Sequence, residues 1–204
     1  MIIGKRVYLR AFEPDDYILI NKWRNCLEIQ ELTSGTFRYV SAEREREWVL
    51  SKIKNDSEDI YWSICLNDES KKMIGYTSIN QIDLIHRKAF HGGIIIGDKD
   101  YRDGQILIDT ILHTFSYAFD ELNLNRLEAK CLLEHQTSYK MLKIMGYSLE
   151  GIKRQAIYKH GKYHDQYLFS ILKLEYNSLL TSNEFEIDNI LKRLKRLKQE
   201  NKKK

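Results

Sequence analysis

Polar and apolar positions alternate with period two over residues 5–10 (KRVYLR), which directs Val7 and Leu9 to one side of a first strand. The period then lengthens. Tyr17, Leu19, Ile20 and Trp23 recur at helical spacing up to about Asn25, behind Glu13-Pro14-Asp15-Asp16, whose proline and acids suit a helix first turn. Residues 28–39 show no period and are expected to form a loop with a short helical piece. Ser41 opens a helix from Ala42 to about Asn55 with a thin apolar stripe of Trp48, Val49 and Ile53. Residues 60–66 and 73–79 read as a hairpin about the turn 67–70 (NDES), and 81–88 as a polar connection.

The densest apolar pattern lies at 89–122. A strand over 89–96 contains Gly92 and Gly93, which mark a bulge or a close approach by another group. A charged turn with Gly97 and Gly104 follows, then a long helix in which Ile108, Ile111, Leu112, Phe115, Ala118 and Phe119 share one buried face. Beyond it come a strand over 126–133, a short helix over 138–145 stopped by Gly146, and strands over 148–158 and 163–174. Strand–helix–strand units give parallel neighbours and hairpins give antiparallel ones, so the expected fold is a mixed α/β sheet. Ile187, Ile190, Leu194 and Leu197 then repeat on a basic amphipathic helix, readable as a pairing seam, a stripe folded back on the body or a solvated tail. The body is placed at residues 1–177 and the helical tail at 178–204.

A chain of 204 residues supports one substantial core. Its formal charge of +4 resides entirely beyond residue 183, where eight basic residues face four acidic ones. A neutral body argues against a nucleic-acid partner, which calls for a basic face. Cys26, Cys65 and Cys131 have neither disulfide-framework nor metal-ligand spacing, so no metal is expected and the thiols read as small core groups of a cytoplasmic protein. No apolar run reaches membrane-spanning length and the start lacks a leader-like apolar region, so no membrane association is expected.

The junction of strand, glycine-bearing turn and long helix leaves backbone N–H groups unpartnered at the positive end of a helix dipole. That arrangement suits a pyrophosphate, though an ordinary strand-to-helix junction has the same pattern.

Several strings in order along 5–176 resemble the GCN5-related N-acetyltransferases (GNAT): KRVYLR at 5–10, KWRN at 22–25, IGY at 74–76 and YAFDELNLNR at 117–126. Ser138, Met145-Gly146-Tyr147, Glu150-Gly151 and KHGKYHD at 159–165 complete the set. The branch most alike includes ribosomal-protein N-terminal, spermidine and sugar-nucleotide amine acetyltransferases. The resemblance implies a mostly antiparallel central sheet of about seven strands with helices on both faces, plus the basic C-terminal helix. It also implies acetyl-CoA as co-substrate. Pantetheine would lie along Ile94, Ile95 and Ile96, with a backbone N–H near Ile95 or Ile96 polarising the thioester carbonyl. Pyrophosphate would sit on Arg102, Asp103, Gly104, Gln105, Ile106 and Leu107, with His135 and Ser138 on the opposite side of the donor. Gln105 and Leu107 replace the glycines of the family's turn, His135 replaces an asparagine, and Leu142 stands where many relatives carry an acidic tyrosine.

Transfer to an amine needs a proton acceptor, and His91 is the candidate base by position and by its ordinary titration near neutrality. A histidine packed on a sheet face is the competing reading. Trp23, Arg24, Asn25, His86, Glu128 and Tyr158 are the candidates for lining the acceptor site. The expected acceptor is a primary amine of a small molecule, foremost an amino deoxysugar nucleotide. Polyamine or protein N-terminal acetylation, and a non-catalytic CoA-binding module, are the alternatives. The terminal helix raises the expectation of a homodimer.

Overall fold

Strand β2 (Val7–Ala11) buries Val7, Tyr8 and Leu9 in succession, so it is covered on both faces rather than on one. In the computed structural model, residues 2–3, 5–33, 35, 38–55 and 57–200 are described. Ser34, Thr36 and Phe37 of the loop expected at 28–39, and the lysines at 202–204 of the basic tail, lie outside the described residues. The chain divides into two compact units, Met1–Leu124 and Asn125–Lys204.

In the first unit, β1 (Ile2–Ile3), β2, β3 (Ile60–Leu66), β4 (Met73–Asp83) and β5 (Lys88–His91) are neighbours in that order, every pair antiparallel. β6 (Ile95–Ile96) returns to β4. One face carries α1 (Tyr17–Arg24), α2 (Leu27–Leu32) and α3 (Ala42–Lys54) over a core that includes Tyr8, Phe12, Ile20, Trp23, Val49 and Met73. Ser41 Oγ caps α3 by accepting from the Arg44 N–H at 3.3 Å. The other face carries α4 (Gly104–Ser116), which continues as one π-helical turn, Tyr117–Glu121. Ile111, Phe115, Ala118 and Phe119 are buried as their spacing predicts, while Ile108 and Leu112 are half-buried.

The corner between β2 and α1 is held by Asp16. It accepts from Arg10 through both oxygens (2.7 and 2.8 Å), from Ser63 Oγ (2.6 Å) and from the Glu13 N–H (2.9 Å). Burial alone would raise its pKa, but Arg10, the Glu13 amide and Ser63 outweigh that and hold the carboxyl below its ordinary value.

Two expectations need correcting here. The strand expected over 89–96 is broken at 92–94. Pairing passes from Ile79 opposite His91 to Tyr76 opposite Ile95, a one-residue bulge. Gly92 sits so close to β4 that a Cβ would lie 2.0 Å from Ser78 Oγ. The polar connection expected over 81–88 is shorter than expected, a turn over 84–87, because β4 runs on to Asp83 and β5 starts at Lys88. Asp83 Oδ1 then accepts from the Ile85 and His86 N–H groups in a tight turn.

In the second unit β9 (Lys162–Leu172) lies between β7 (Arg126–Leu132) and β8 (Ser148–Lys159), again antiparallel. α5 (Gln136–Ile144) stops at Gly146, whose φ of +93° admits glycine readily and where a Cβ would also strike Leu179. The strand expected to reach 174 ends at Leu172. There the Glu175 carboxylate accepts the Leu172 N–H at 2.8 Å and starts α6 (Lys173–Thr181). α7 (Ile187–Glu200) packs back against α5, with Ile190 buried, which is the arrangement of a stripe folded back on its own unit.

Candidate functional site

The turn that opens α4 is built around Asp103, the helix N-cap. Its Oδ1 accepts the Ile106 N–H at 2.8 Å, while Oδ2 pairs with Arg6 at 2.9 Å. The carboxylate is thereby directed to Arg6, which also donates to Gln105 Oε1. The Gly104 and Gln105 N–H groups have no protein partner among the described residues, and a Cβ at Gly104 would meet nothing within 4 Å. This leaves a short stretch of bare backbone donors at the positive end of a 13-residue helix. Ile106 is buried beneath it and Leu107 is half-buried. Arg102 folds back instead: Nε donates to the Ile96 carbonyl at 3.0 Å, and the guanidinium reaches the Gly97 carbonyl and Glu28.

β6 presents its backbone beside this turn. The Gly97 N–H donates to the Ile74 carbonyl, so the alternation of an antiparallel ladder directs the Ile96 N–H away from β4. Ile95 faces the front core and Ile94 lies in the bulge. Two glycines allow this geometry. A Cβ at Gly75 would lie 2.1 Å from the Ile95 carbonyl oxygen, and one at Gly97 would lie 2.0 Å from the Trp23 indole.

On the front face the half-buried rings of Trp48, Tyr61 and Tyr76 pack around the buried Phe12 as an aromatic cluster, with Trp48 and Tyr61 edge to face at 5.1 Å and Tyr76 stacked on Trp23. Glu45 reaches into it from α3. It is 0% exposed, Oε1 accepts from Arg24 at 2.8 Å, and Oε2 has no partner among the described residues. An acceptor oxygen buried without a donor costs about 1–3 kcal/mol. Burial raises the Glu45 pKa, only partly opposed by Arg24. Arg24 in turn lies over the Trp48 ring at 4.9 Å. The sequence pattern overlooked Glu45, although its place three and four residues before Trp48 and Val49 puts an acid on the buried stripe. That was the available signal.

On the other side of Trp23 a cavity of about 510 Å³ has an apolar floor that includes Leu19, Trp23 and Met73. Its rim carries Lys22, Lys72, Lys99 and Arg102 against Asp98 and Asp100.

The structure does not bring the other expected residues of this unit to the aromatic cluster. His91 points to the α4 face, 5% exposed, with Nε2 3.1 Å from Thr114 Oγ1 and its ring beside Phe115. Burial pulls its pKa down to about 4, so it is neutral at pH 7 and a weak proton acceptor. Asn25 clasps the backbone of Val40 through both side-chain atoms. His86 stands exposed on the turn after β4, 2.7 Å from Asp83.

In the second unit, His135 Nδ1 and Ser138 Oγ are 2.8 Å apart at the start of α5, and burial, reinforced by Lys159, lowers the histidine's pKa. Glu134 pairs with the buried His164 at 2.8 Å. Glu128 is one of two carboxylates on Arg126, the other being Glu150. Tyr158 packs against Tyr163 at the exposed tip of the β8–β9 hairpin. Among the described residues no group of histidine, cysteine and acidic side chains could hold a metal ion, and no helix is long and apolar enough to cross a membrane.

Comparison with known proteins agrees with this architecture. Residues 6–148 match the acetyltransferase (GNAT) domain family. A relative from Bacillus licheniformis, "Uncharacterized N-acetyltransferase p20", is 28% identical over 173 residues, covering 84% of this chain and 96% of its own. "Uncharacterized N-acetyltransferase YnaD" of Bacillus subtilis (strain 168) is 25% identical over 177 residues, covering 86% of this chain and 99% of its own. Among solved structures, the spermidine N-acetyltransferase of Vibrio cholerae in complex with CoA and spermine superposes with a TM-score of 0.76. It is 24% identical and covers 85% of this chain and 99% of that one. With the family's domain matched over most of the chain, on a fold of the same kind, the chain belongs to the GNAT acetyltransferases and is an acetyl-CoA-dependent N-acetyltransferase.

Proposed function

We propose that the acceptor is a small molecule carrying one reactive primary amine on a ring-shaped body, with an amino deoxysugar nucleotide as the leading candidate. The observation that carries this reading is the aromatic cluster beside Glu45, one of whose buried carboxylate oxygens has no donor among the described residues. One oxygen suits one ammonium. A polycation calls for several free carboxylates, whereas Asp16 and Asp59 nearby are committed to Arg10 and Lys52. Flat aromatic faces suit the apolar face of a sugar ring.

For the donor, the fit of this chain's own residues is as follows. The Gly104 and Gln105 N–H groups receive the pyrophosphate, with Asp103 turned to Arg6 so that its charge is neutralised. The Ile96 N–H, aimed away from β4, polarises the thioester carbonyl and meets the charge that develops on its oxygen. Arg102 holds the Ile96 and Gly97 carbonyls in place rather than reaching for phosphate. Glu128 and Tyr158 are engaged with Arg126 and Tyr163, so a part in holding the acceptor would need them released.

A polyamine acceptor is the second reading, favoured by the likeness to the Vibrio cholerae enzyme bound to spermine. Calorimetry with CoA, followed by thiol release from acetyl-CoA with amino-sugar nucleotides and with spermidine, separates the two. Turnover with an amino-sugar nucleotide and none with spermidine is expected; the reverse result would overturn the sugar reading.

A further inference from the structure

Arg24, Glu45 and Trp48 compose a site for an organic cation that already holds one. The guanidinium lies over an indole face at 4.9 Å and donates to a buried carboxylate at 2.8 Å, the two interactions that recognise a substituted ammonium. The partners differ in freedom: the Arg24 side chain is 35% exposed and able to swing out, while Glu45 is fully enclosed. Glu45 also keeps one oxygen without a partner among the described residues, so the niche offers more acceptor capacity than its resident uses. Tyr76 is close enough for its hydroxyl to feel the Glu45 charge, and it pairs across the ladder with Ile95 of β6. The niche therefore lies one residue across the ladder from the strand on which the thioester is proposed to lie.

We propose that Glu45 and Trp48 form the seat of the acceptor's ammonium, and that Arg24 is a tethered cation occupying the seat until the acceptor displaces it. This rests on the acetyl-transfer reading above and names the groups that receive the amine. Once Arg24 leaves, the ammonium gives one proton to a Glu45 oxygen. The freed nitrogen lone pair forms the C–N bond with the acetyl carbon, the C–S bond breaks, and the departing thiolate takes the second nitrogen proton. Glu45 then returns its proton to water, leaving an amide and a thiol.

The test uses the full chain with benzylamine and benzyl alcohol, two probes of one shape that differ in charge, titrated by tryptophan fluorescence. The wild type is expected to prefer the amine. E45Q keeps the shape and a hydrogen bond to Arg24 but removes the charge, and should weaken benzylamine by about tenfold or more while leaving benzyl alcohol unchanged. R24Q removes the resident and should tighten benzylamine severalfold. Absence of an amine preference in the wild type, its survival in E45Q, or weaker amine binding in R24Q would each overturn the proposal. R24Q keeps the question open to refutation even where E45Q does not fold. The heat of CoA binding is measured separately: its loss in the wild type would remove the acetyl-transfer reading while leaving the amine preference to be judged by itself.

Discussion

Gly97→Ala probes the contact that couples β6 to the front core. The new methyl would lie 2.0, 2.2 and 2.3 Å from three atoms of the Trp23 indole, where ordinary contact begins near 3.4 Å. The ring must therefore retreat by over an ångström, and it has little room, being 5% exposed and stacked on Tyr76. Overpacking of this kind costs about 1–3 kcal/mol. For a chain of this length each kcal/mol lowers Tm by about 2–4 °C, so a fall of about 2–12 °C is expected. Because Gly97 follows Ile96, CoA affinity measured by calorimetry should fall as well, by about tenfold for each 1.4 kcal/mol of displaced backbone geometry. Gly93→Ala is the control: a Cβ there meets nothing within 4 Å, so Tm should hold or rise slightly. Trp23→Leu vacates the space, and combined with G97A it should show a favourable coupling of about 1 kcal/mol or more. A G97A protein with wild-type Tm and wild-type CoA affinity would refute the reasoning.

Asp16→Asn leaves Arg10 without its charge partner and should cost about 3 kcal/mol at pH 7. Because the folded-state pKa of Asp16 is depressed, its contribution is present above the ordinary carboxylate pKa and is lost as pH falls through the folded value. The wild-type and D16N melting curves should converge in acid; parallel curves down to pH 2 would count against this. His91→Gln should keep the shape of the kcat/KM profile between pH 6 and 9, because a histidine with a pKa of about 4 does not titrate there; loss of the acid limb would return the base role to His91. Asp103→Ala removes the cap of α4 and should lower stability by about 1 kcal/mol. The same change takes a carboxylate away from the Gly104 and Gln105 amides, so CoA should bind about two- to fivefold tighter at low salt. Weaker CoA binding in D103A would show that the carboxylate helps to hold the donor.

The order of elements was legible because periodicity reports which faces meet a core: the long helix at Ile111, Phe115 and Phe119, the Ser41-capped helix and the paired strands all follow from spacing. Gly146 was readable as a stop because its left-handed conformation is a local requirement. Tertiary contact decided the rest. The bulge at 92–94 exists because Gly92 must lie against Ser78 and Asn80, residues distant in sequence. α6 begins where Glu175 turns back to the Leu172 amide, ending a strand whose apolar pattern runs on. Asp103 looked like a charge beside the phosphate turn, and only the position of Arg6 shows where that charge is directed. A histidine reads the same in sequence whether it faces solvent or Thr114, because side-chain titration depends on burial, which pattern does not carry at a single position. Glu45 is the complementary case. The local spacing put an acid on an apolar face, but the arrival of Arg24, itself lying over Trp48, at one of its oxygens, with no donor at the other among the described residues, is a property of the assembled core alone.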